Sequence, residues 1–343
     1  MSRPSKDVTT TSSACRSRAC GRPSKPFRTE QVRVPPIENE VLVLTGPTAS
    51  GKSSLAHRLA LLGDAEIVSC DSRQVYRELT IGSAKPDPGM LCEVRYHFID
   101  EKELTEPFSA GEYALEAEAR ILGIIRRGKR AIVVGGSALY LQGLVEGFAG
   151  LPPKNAKVRQ LLERQLADFG AERLYERLRK LDPQQAATLD PTKTQRLVRS
   201  LEIIETTGRS VTELQRTHTD ATTQKWKPNY TLFALLRPRE ELYGRINLRT
   251  EQMMHEGLLE EAEGLWRRYQ REIEDRSLPS LCTVGYQELF EHFRGKTTLD
   301  EAVALIQQHT RNYAKRQLTF MRNRLQCRWV PATIGSEELL GLL

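Results

Sequence analysis

The sequence predicts an α/β protein: a parallel sheet flanked by helices, with an inserted helical domain. Three observations carry that reading. Short, continuous apolar runs alternate with stretches of helical period, as in a sheet covered on both faces. A glycine-rich turn stands between the first such run and the helix after it. From about Pro152 the texture changes, and apolar residues recur at helical spacing as far as Gly208.

In chain order, residues 1–40 are rich in Ser, Thr, Arg and Pro and poor in acids and large apolar side chains, so they predict a disordered tail. The same composition resembles an organellar transit peptide but lacks the amphipathic stripe. Val-Leu-Val-Leu-Thr from Val41 predicts a buried strand, followed by a helix from about Lys52 to Leu62. Ala65–Cys70 reads as a second strand, ending at Asp71. A helix over about 109–127 leads to a third strand at 130–136. In the insertion Val158, Leu161, Leu162, Leu166 and Phe169 fall at helical spacing, Pro183 and Pro191 punctuate, and a further helix stops at Gly208. Tyr-Thr-Leu-Phe-Ala-Leu-Leu at 230–236 returns to strand character, and 238–270 and 298–325 read as long amphipathic helices. The core is thus assigned to 41–150 and 227–330, the helical insertion to 151–226, and 331–343 to a C-terminal tail.

With 39% hydrophobic residues over 343 positions, the chain has enough apolar surface for a sizeable core. Lys and Arg outnumber Asp and Glu by 51 to 44, a net +7, which favours a polyanionic partner. The six cysteines, Cys15, Cys20, Cys70, Cys92, Cys282 and Cys327, show neither CxxC nor zinc-ligand spacing, as expected of reduced thiols. No apolar run approaches the roughly 20 residues needed to cross a bilayer, so the expectation is a cytoplasmic protein without a membrane partner, by default a monomer.

Gly46-Pro47-Thr48-Ala49-Ser50-Gly51-Lys52-Ser53 matches G-x-x-x-x-G-K-[ST] at a strand-to-helix turn, which places the sheet among P-loop NTPase-like folds. The glycines let successive N–H groups face phosphate oxygens, Lys52 adds a point charge, and the Ser53 hydroxyl can reach Mg2+, the expected cofactor. An NTPase also needs an acid ending an apolar strand. The strand at 131–134 runs instead into Gly135-Gly136-Ser137, whereas the one at 66–70 ends in Asp71. The glycine pair suits close approach of backbone to ligand, as in a binding channel.

Further blocks share the order and spacing of one family: D-S-R-Q-V-Y-R (71–77), I-G-S-A-K-P (81–86), G-G-S-A-L-Y (135–140), D-P-T-K-T-Q-R-L-V-R-S-L-E (190–202), R-I-N-L-R (245–249), V-G-Y-Q-E-L (284–289) and T-R-N-Y-A-K-R-Q-L-T-F-M-R (310–322). With the P-loop they resemble the tRNA dimethylallyltransferase (tRNA isopentenyltransferase) family over roughly residues 41–325. The resemblance implies transfer of a dimethylallyl group from dimethylallyl diphosphate to N6 of the adenosine immediately 3′ of the anticodon, in tRNAs reading codons that begin with U. It implies Asp71 as the general base for a weakly nucleophilic amine and Arg245 as a stabiliser of the departing diphosphate. Ser137 stands where the family more often has Thr, and would orient the base or the bridging oxygen. An adenine in an anticodon loop must be splayed out before it can react, which calls for contacts to the anticodon stem-loop. The implied contacts are Ser72, Arg73 and Gln74, Gln195, Arg196, Leu197, Val198 and Arg199, Gly285, Tyr286 and Gln287, and Lys315, Arg316, Gln317 and Arg322. Gln74 could read a base edge, and the insertion and the basic C-terminal helix are expected to grip opposite sides of the stem-loop. Three alternatives use the same P-loop: prenylation of free AMP, phosphate transfer from ATP, and RNA binding without catalysis. The I-G-S-A-K-P block and the basic helix favour tRNA over AMP.

Overall fold

A computed structural model describes residues 40–148, 151–152, 154–221 and 228–343. The N-terminal tail expected over 1–40 lies outside them except for Glu40, which opens the first strand. In chain order the elements are β1 (Glu40–Thr45), α1 (Lys52–Gly63), β2 (Ala65–Ser69), α2 (Pro88–Glu93), β3 (Tyr96–His97), α3 (Ala110–Arg126), β4 (Arg130–Val134) and α4 (Ala138–Val145). Then follow α5 (Ala156–Leu181), α6 (Pro183–Ala187), α7 (Thr194–Thr207), α8 (Val211–Ala221), β5 (Asn229–Leu236), α9 (Arg239–His255), α10 (Leu258–Glu274), α11 (Tyr286–Phe293), α12 (Leu299–Arg324), β6 (Arg328–Pro331) and α13 (Ser336–Leu340).

The six strands form one parallel sheet in the order β3-β2-β4-β1-β5-β6. Alternation along each strand divides the core into two layers. Val41, Val43, Val68 and Val133 face α3, α4 and the late helices α10–α12. Leu42, Leu44, Ile67 and Ile132 face α1, through Leu55 and Leu59. Both faces are covered, which is why these strands read as unbroken apolar runs. In the insertion, Leu162, Leu174, Leu178, Leu197, Val198 and Leu201 close a separate small core between α5 and α7.

Two expectations are corrected, and two strands went unforeseen. The stretch 238–270 is two helices, because Gly257 at φ 104° takes a left-handed conformation that L side chains rarely adopt and so starts α10 afresh. The tail expected at 331–343 is structured: β6 runs to Pro331 and pairs with β5, and Leu339 of α13 is fully buried in the α1 layer. The strands β3 and β6 carry no apolar run long enough to be seen in the sequence, β3 being two residues long.

Candidate active site

Parallel order brings the C-terminal ends of β2, β4 and β1 side by side, the edge where α/β sheets bind ligands. Asp71 follows β2, Gly135-Gly136-Ser137 follows β4, and the phosphate loop follows β1.

The loop is held open from outside by arginines. Arg237 Nε donates to Ser50 O at 2.9 Å and Arg245 Nε to Ala49 O at 2.9 Å, so these carbonyls turn outward. Four residues on along α9, Arg249 Nη1 donates to Thr48 Oγ1 at 3.4 Å. Lys52 Nζ folds back onto Pro47 O at 3.2 Å. Burial, and then the Arg249 guanidinium, push the Lys52 amine down to about 8 against the opposing pull of Asp71. Burial likewise lowers Arg249, again opposed by Asp71 and assisted by Arg245. Two desolvated cations therefore share a cradle with one carboxylate, an arrangement that favours a bound anion.

Asp71 begins a tight turn, in which its Oδ1 accepts from the N–H groups of Arg73 (2.8 Å) and Gln74 (3.4 Å). Beneath it, the buried Ser137 hydroxyl accepts from Ser72 N at 2.9 Å and donates to Ser72 Oγ at 3.3 Å, while Ser137 N donates to Cys70 O. Ser137 thus positions the turn that carries the carboxylate. The close approach made possible by Gly135 is to protein, not to a ligand as expected: a Cβ there would lie 2.0 Å from Cys70 O. At Gly136 it would lie 2.3 Å from Gln317 Nε2.

A cavity of about 340 Å³ opens between these parts. Thr48, Ala49, Asp71 and Arg249 line it, and Ile246, Met253, Leu258, Val284 and Ile306 give it an apolar lining supplied by α9, α10, α12 and the approach to α11. Tyr313 and Arg316 of α12 also line it. Burial, and then the charge of Asp71, push the Tyr313 phenol up to about 12.

The structure gathers Asp71, the phosphate loop, Arg245 and the Ser137 turn, but distributes the expected tRNA contacts unevenly. Gln195, Arg196, Gln287, Lys315, Arg316 and Arg322 are exposed. Leu197 and Val198 are core residues of the insertion, and Arg199 is tied to the buried Glu202 at 2.9 Å and to Pro152 O. The Tyr286 ring is fully buried beside a buried Gly285. Gln317 is buried between Thr48 N and Gly136 O, each at 2.9 Å. Gln74 cannot read a base edge as placed, because its amide accepts from Ser69 Oγ and donates to the carbonyls of Ser83 and Ala84. Arg73 Nε donates to Thr283 Oγ1. Sequence reasoning missed Arg249 and the bridging role of Gln317. The i, i+4 spacing of Arg249 from Arg245 was the available signal.

A sequence model of the family described as IPP transferase matches residues 74–324. The chain belongs to that family. A protein of Chlorobium luteolum named tRNA dimethylallyltransferase is 70% identical over 292 residues, which cover 85% of this chain and 96% of that protein. One of the same name from Chlorobium phaeovibrioides is 58% identical over 301 residues, covering 88% and 95%. Among solved structures, the tRNA isopentenylpyrophosphate transferase of Bacillus halodurans is similar with a TM-score of 0.63 at 32% identity, covering 89% of this chain and 94% of that one. A eukaryotic dimethylallyltransferase, solved acting on tRNA, is similar with a TM-score of 0.73 at 26% identity, covering 86% and 74%. The family and the sheet order agree with the fold expected from the sequence.

Proposed function

We propose that this chain transfers the dimethylallyl group of dimethylallyl diphosphate to N6 of the adenosine at position 37, 3′ to the anticodon, in tRNAs reading codons that begin with U. The products are N6-isopentenyladenosine and diphosphate. The observation that carries the reading is one cavity lined together by the phosphate-loop residues Thr48 and Ala49, the cation Arg249, the acid Asp71 and a set of apolar side chains, with the desolvated Lys52 amine in the same loop. A five-carbon allylic tail suits that lining, and a diphosphate suits Lys52, Arg249 and the loop N–H groups.

In the reaction the N6 lone pair forms the new C–N bond at the allylic carbon. The C–O bond breaks with its electron pair going to the diphosphate oxygen, and Asp71 takes the proton that N6 loses. The turn N–H groups and Ser137 hold Asp71 in place, while Lys52 and Arg249 stabilise the charge on the departing oxygens; Arg245, expected for that task, here donates through Nε to the loop carbonyl of Ala49 and supports the same cradle. Mg2+ fits as a partner of that diphosphate: Ser53 presents an exposed hydroxyl beside Lys52, and a hydroxyl with phosphate oxygens forms a hard donor set. When bound, the ion would neutralise part of the diphosphate charge.

The anticodon stem-loop has exposed anchors in Gln195 and Arg196 of α7 and in Lys315, Arg316 and Arg322 of α12. A shallow groove of about 550 Å³ runs along the outer side of α12 between Lys315, Phe320 and Arg324, offering charge to phosphates and a ring to an unstacked base. Among the described residues no helix is long and apolar enough to cross a membrane.

The test is to supply the purified chain with radiolabelled dimethylallyl diphosphate, Mg2+ and either tRNA or AMP, running Asp71→Ala alongside. Label entering tRNA with the unaltered chain and lost with Asp71→Ala is the expected result. Label entering AMP in preference would overturn the choice of acceptor, and no label in either would overturn the reaction.

A further inference from the structure

The segment between the Asp71 turn and α2 forms one wall of the cavity through Gly82 and Ser83. Residues 77–86 form neither helix nor strand, Thr80 is exposed and Ala84 has φ 50°; the segment's own turn bonds, such as Ala84 N to Ile81 O at 2.9 Å and Lys85 N to Thr80 O at 3.4 Å, leave the N–H groups of Thr80, Ile81 and Gly82 to another partner. That partner is a side chain from 180 residues later in the chain. Glu261 of α10 reaches across with both carboxylate oxygens. Its Oε2 accepts from the N–H groups of Thr80 (3.1 Å) and Ile81 (2.9 Å). Its Oε1 accepts from Gly82 N (3.1 Å) and from the Tyr286 hydroxyl (2.6 Å). Three successive backbone donors and a phenol thus converge on one carboxylate, which is the geometry of a backbone anion nest filled by the protein itself.

The fixed segment is joined directly to the general base. Gln74 Nε2 donates to Ser83 O at 3.3 Å and Ala84 O at 2.9 Å, and Gln74 N is one of the two donors to Asp71 Oδ1. Tyr286 locks the other side: burial, and then the Glu261 charge, push its phenol far up, so it remains a donor, and a Cβ at Gly82 would lie 2.4 Å from its ring. The helix α10, which carries Glu261, grips the segment a second time, where Tyr269 Oη donates to Glu78 at 2.8 Å beside Arg268. Leu258, three residues before Glu261, lines the cavity itself.

We propose that Glu261, seconded by Tyr286, is a positioning residue for the transfer reaction: it sets the 80–84 wall of the cavity and, through Gln74, the aim of Asp71. This rests on the prenyl-transfer reading above, and it gives Tyr286 an internal role in place of a contact with tRNA.

Glu261→Gln is nearly isosteric but presents an amide N–H₂ to backbone donors, so the nest loses part of its acceptor capacity. The experiment measures single-turnover transfer at saturating donor and tRNA, together with the tRNA dissociation constant at fixed salt, for the unaltered chain, Glu261→Gln, Tyr286→Phe, the double variant and Gly82→Ala. Glu260→Gln, an exposed neighbour on the same helix, is the control. We expect Glu261→Gln and Gly82→Ala to slow transfer by about tenfold to a hundredfold, the loss typical of a misplaced reacting group, with tRNA affinity within about twofold. Tyr286→Phe should lose less, and the double variant should be no slower than Glu261→Gln, since both act through one contact. The proposal is overturned if Glu261→Gln transfers at the unaltered rate, if its loss only tracks a smaller folded fraction, or if tRNA affinity falls as far as the rate. Failure of the unaltered chain to label tRNA would overturn the prenyl-transfer reading instead.

Discussion

Lys52 makes donor binding depend on pH with a definite sign. In the free protein its amine is lowered to about 8, chiefly by burial and then by Arg249. A diphosphate in the loop adds negative charge beside it, favours the ammonium form and raises its proton affinity in the complex. Binding above about pH 8 must therefore draw a proton from solvent, and affinity must fall as pH rises through that value. With a value of about 8, Lys52 is roughly three-quarters protonated at about pH 7.5 and about one-tenth at pH 9. If the complex stays fully charged, the donor dissociation constant should weaken about eightfold over that interval, about 1.3 kcal/mol. The interval lies above the second ionisation of a phosphate monoester, about 6, so the ligand contributes little to the change. Titration calorimetry of dimethylallyl diphosphate without tRNA, in buffers of different ionisation enthalpy, reads both quantities. Uptake approaching one proton at about pH 9, lost in Lys52→Met together with the pH dependence, is the expected outcome. A dissociation constant that is flat across the interval, or proton release on binding, would refute the reasoning.

Other outcomes follow from particular contacts. Arg249→Gln should lower kcat/KM for the donor by about a hundredfold to a thousandfold, the loss expected when one charged donor to a leaving oxyanion is removed, whereas Arg245→Gln should lose less, because its Nε supports the loop from outside; steady-state kinetics on the two variants orders them. Gly135→Ala places a methyl group 2.0 Å from Cys70 O, a backbone atom that cannot swing aside, and should destabilise the fold by about 3 kcal/mol, read as a lower midpoint in urea unfolding. Arg196→Ala should weaken tRNA binding and reduce the slope of log affinity against log salt by about one. Arg199→Ala should leave that slope nearly unchanged while destabilising the insertion, since it removes a partner of the fully buried Glu202.

The sheet was legible where burial on both faces leaves an unbroken apolar run, as in Val41–Leu44 and Ala131–Val134, and illegible where a strand is short or polar, as in Tyr96–His97 and Arg328–Pro331. The phosphate loop and Asp71 were legible because their chemistry is local: a glycine-rich turn, and an acid at a strand end. Contacts carried over as whole motifs were less reliable, since a motif mixes side chains that face outward with others that hold the motif in shape. Arg196 is exposed and Leu197 buried within one turn of α7, and Gln287 is exposed beside a buried Tyr286. Arg245 and Arg249 illustrate the same difficulty at four-residue spacing. Both lie on the side of α9 that meets the phosphate loop, and only the path of that loop decides which of them reaches the cavity.

A proton-accepting carboxylate and an anion-binding cradle are chemically at odds, because a free carboxylate beside Lys52 and Arg249 would occupy the place meant for diphosphate. The charge of Asp71 acts on both cations. Backbone geometry keeps the two functions apart. The Asp71 carboxylate is drawn into its own turn by the N–H groups of Arg73 and Gln74, and Lys52 turns to a loop carbonyl. Neither arrangement uses a strong charge pair, so an arriving diphosphate can claim Lys52 by breaking one neutral-acceptor hydrogen bond, with Asp71 still held for the amine. That separation depends on the turn at 71–74 keeping its shape. The shape is set from below by Ser137 and from the side by the segment that Glu261 anchors. Loosening either support should therefore impair proton transfer and donor binding together, because a released Asp71 could swing toward Lys52 and Arg249, on which its charge already acts.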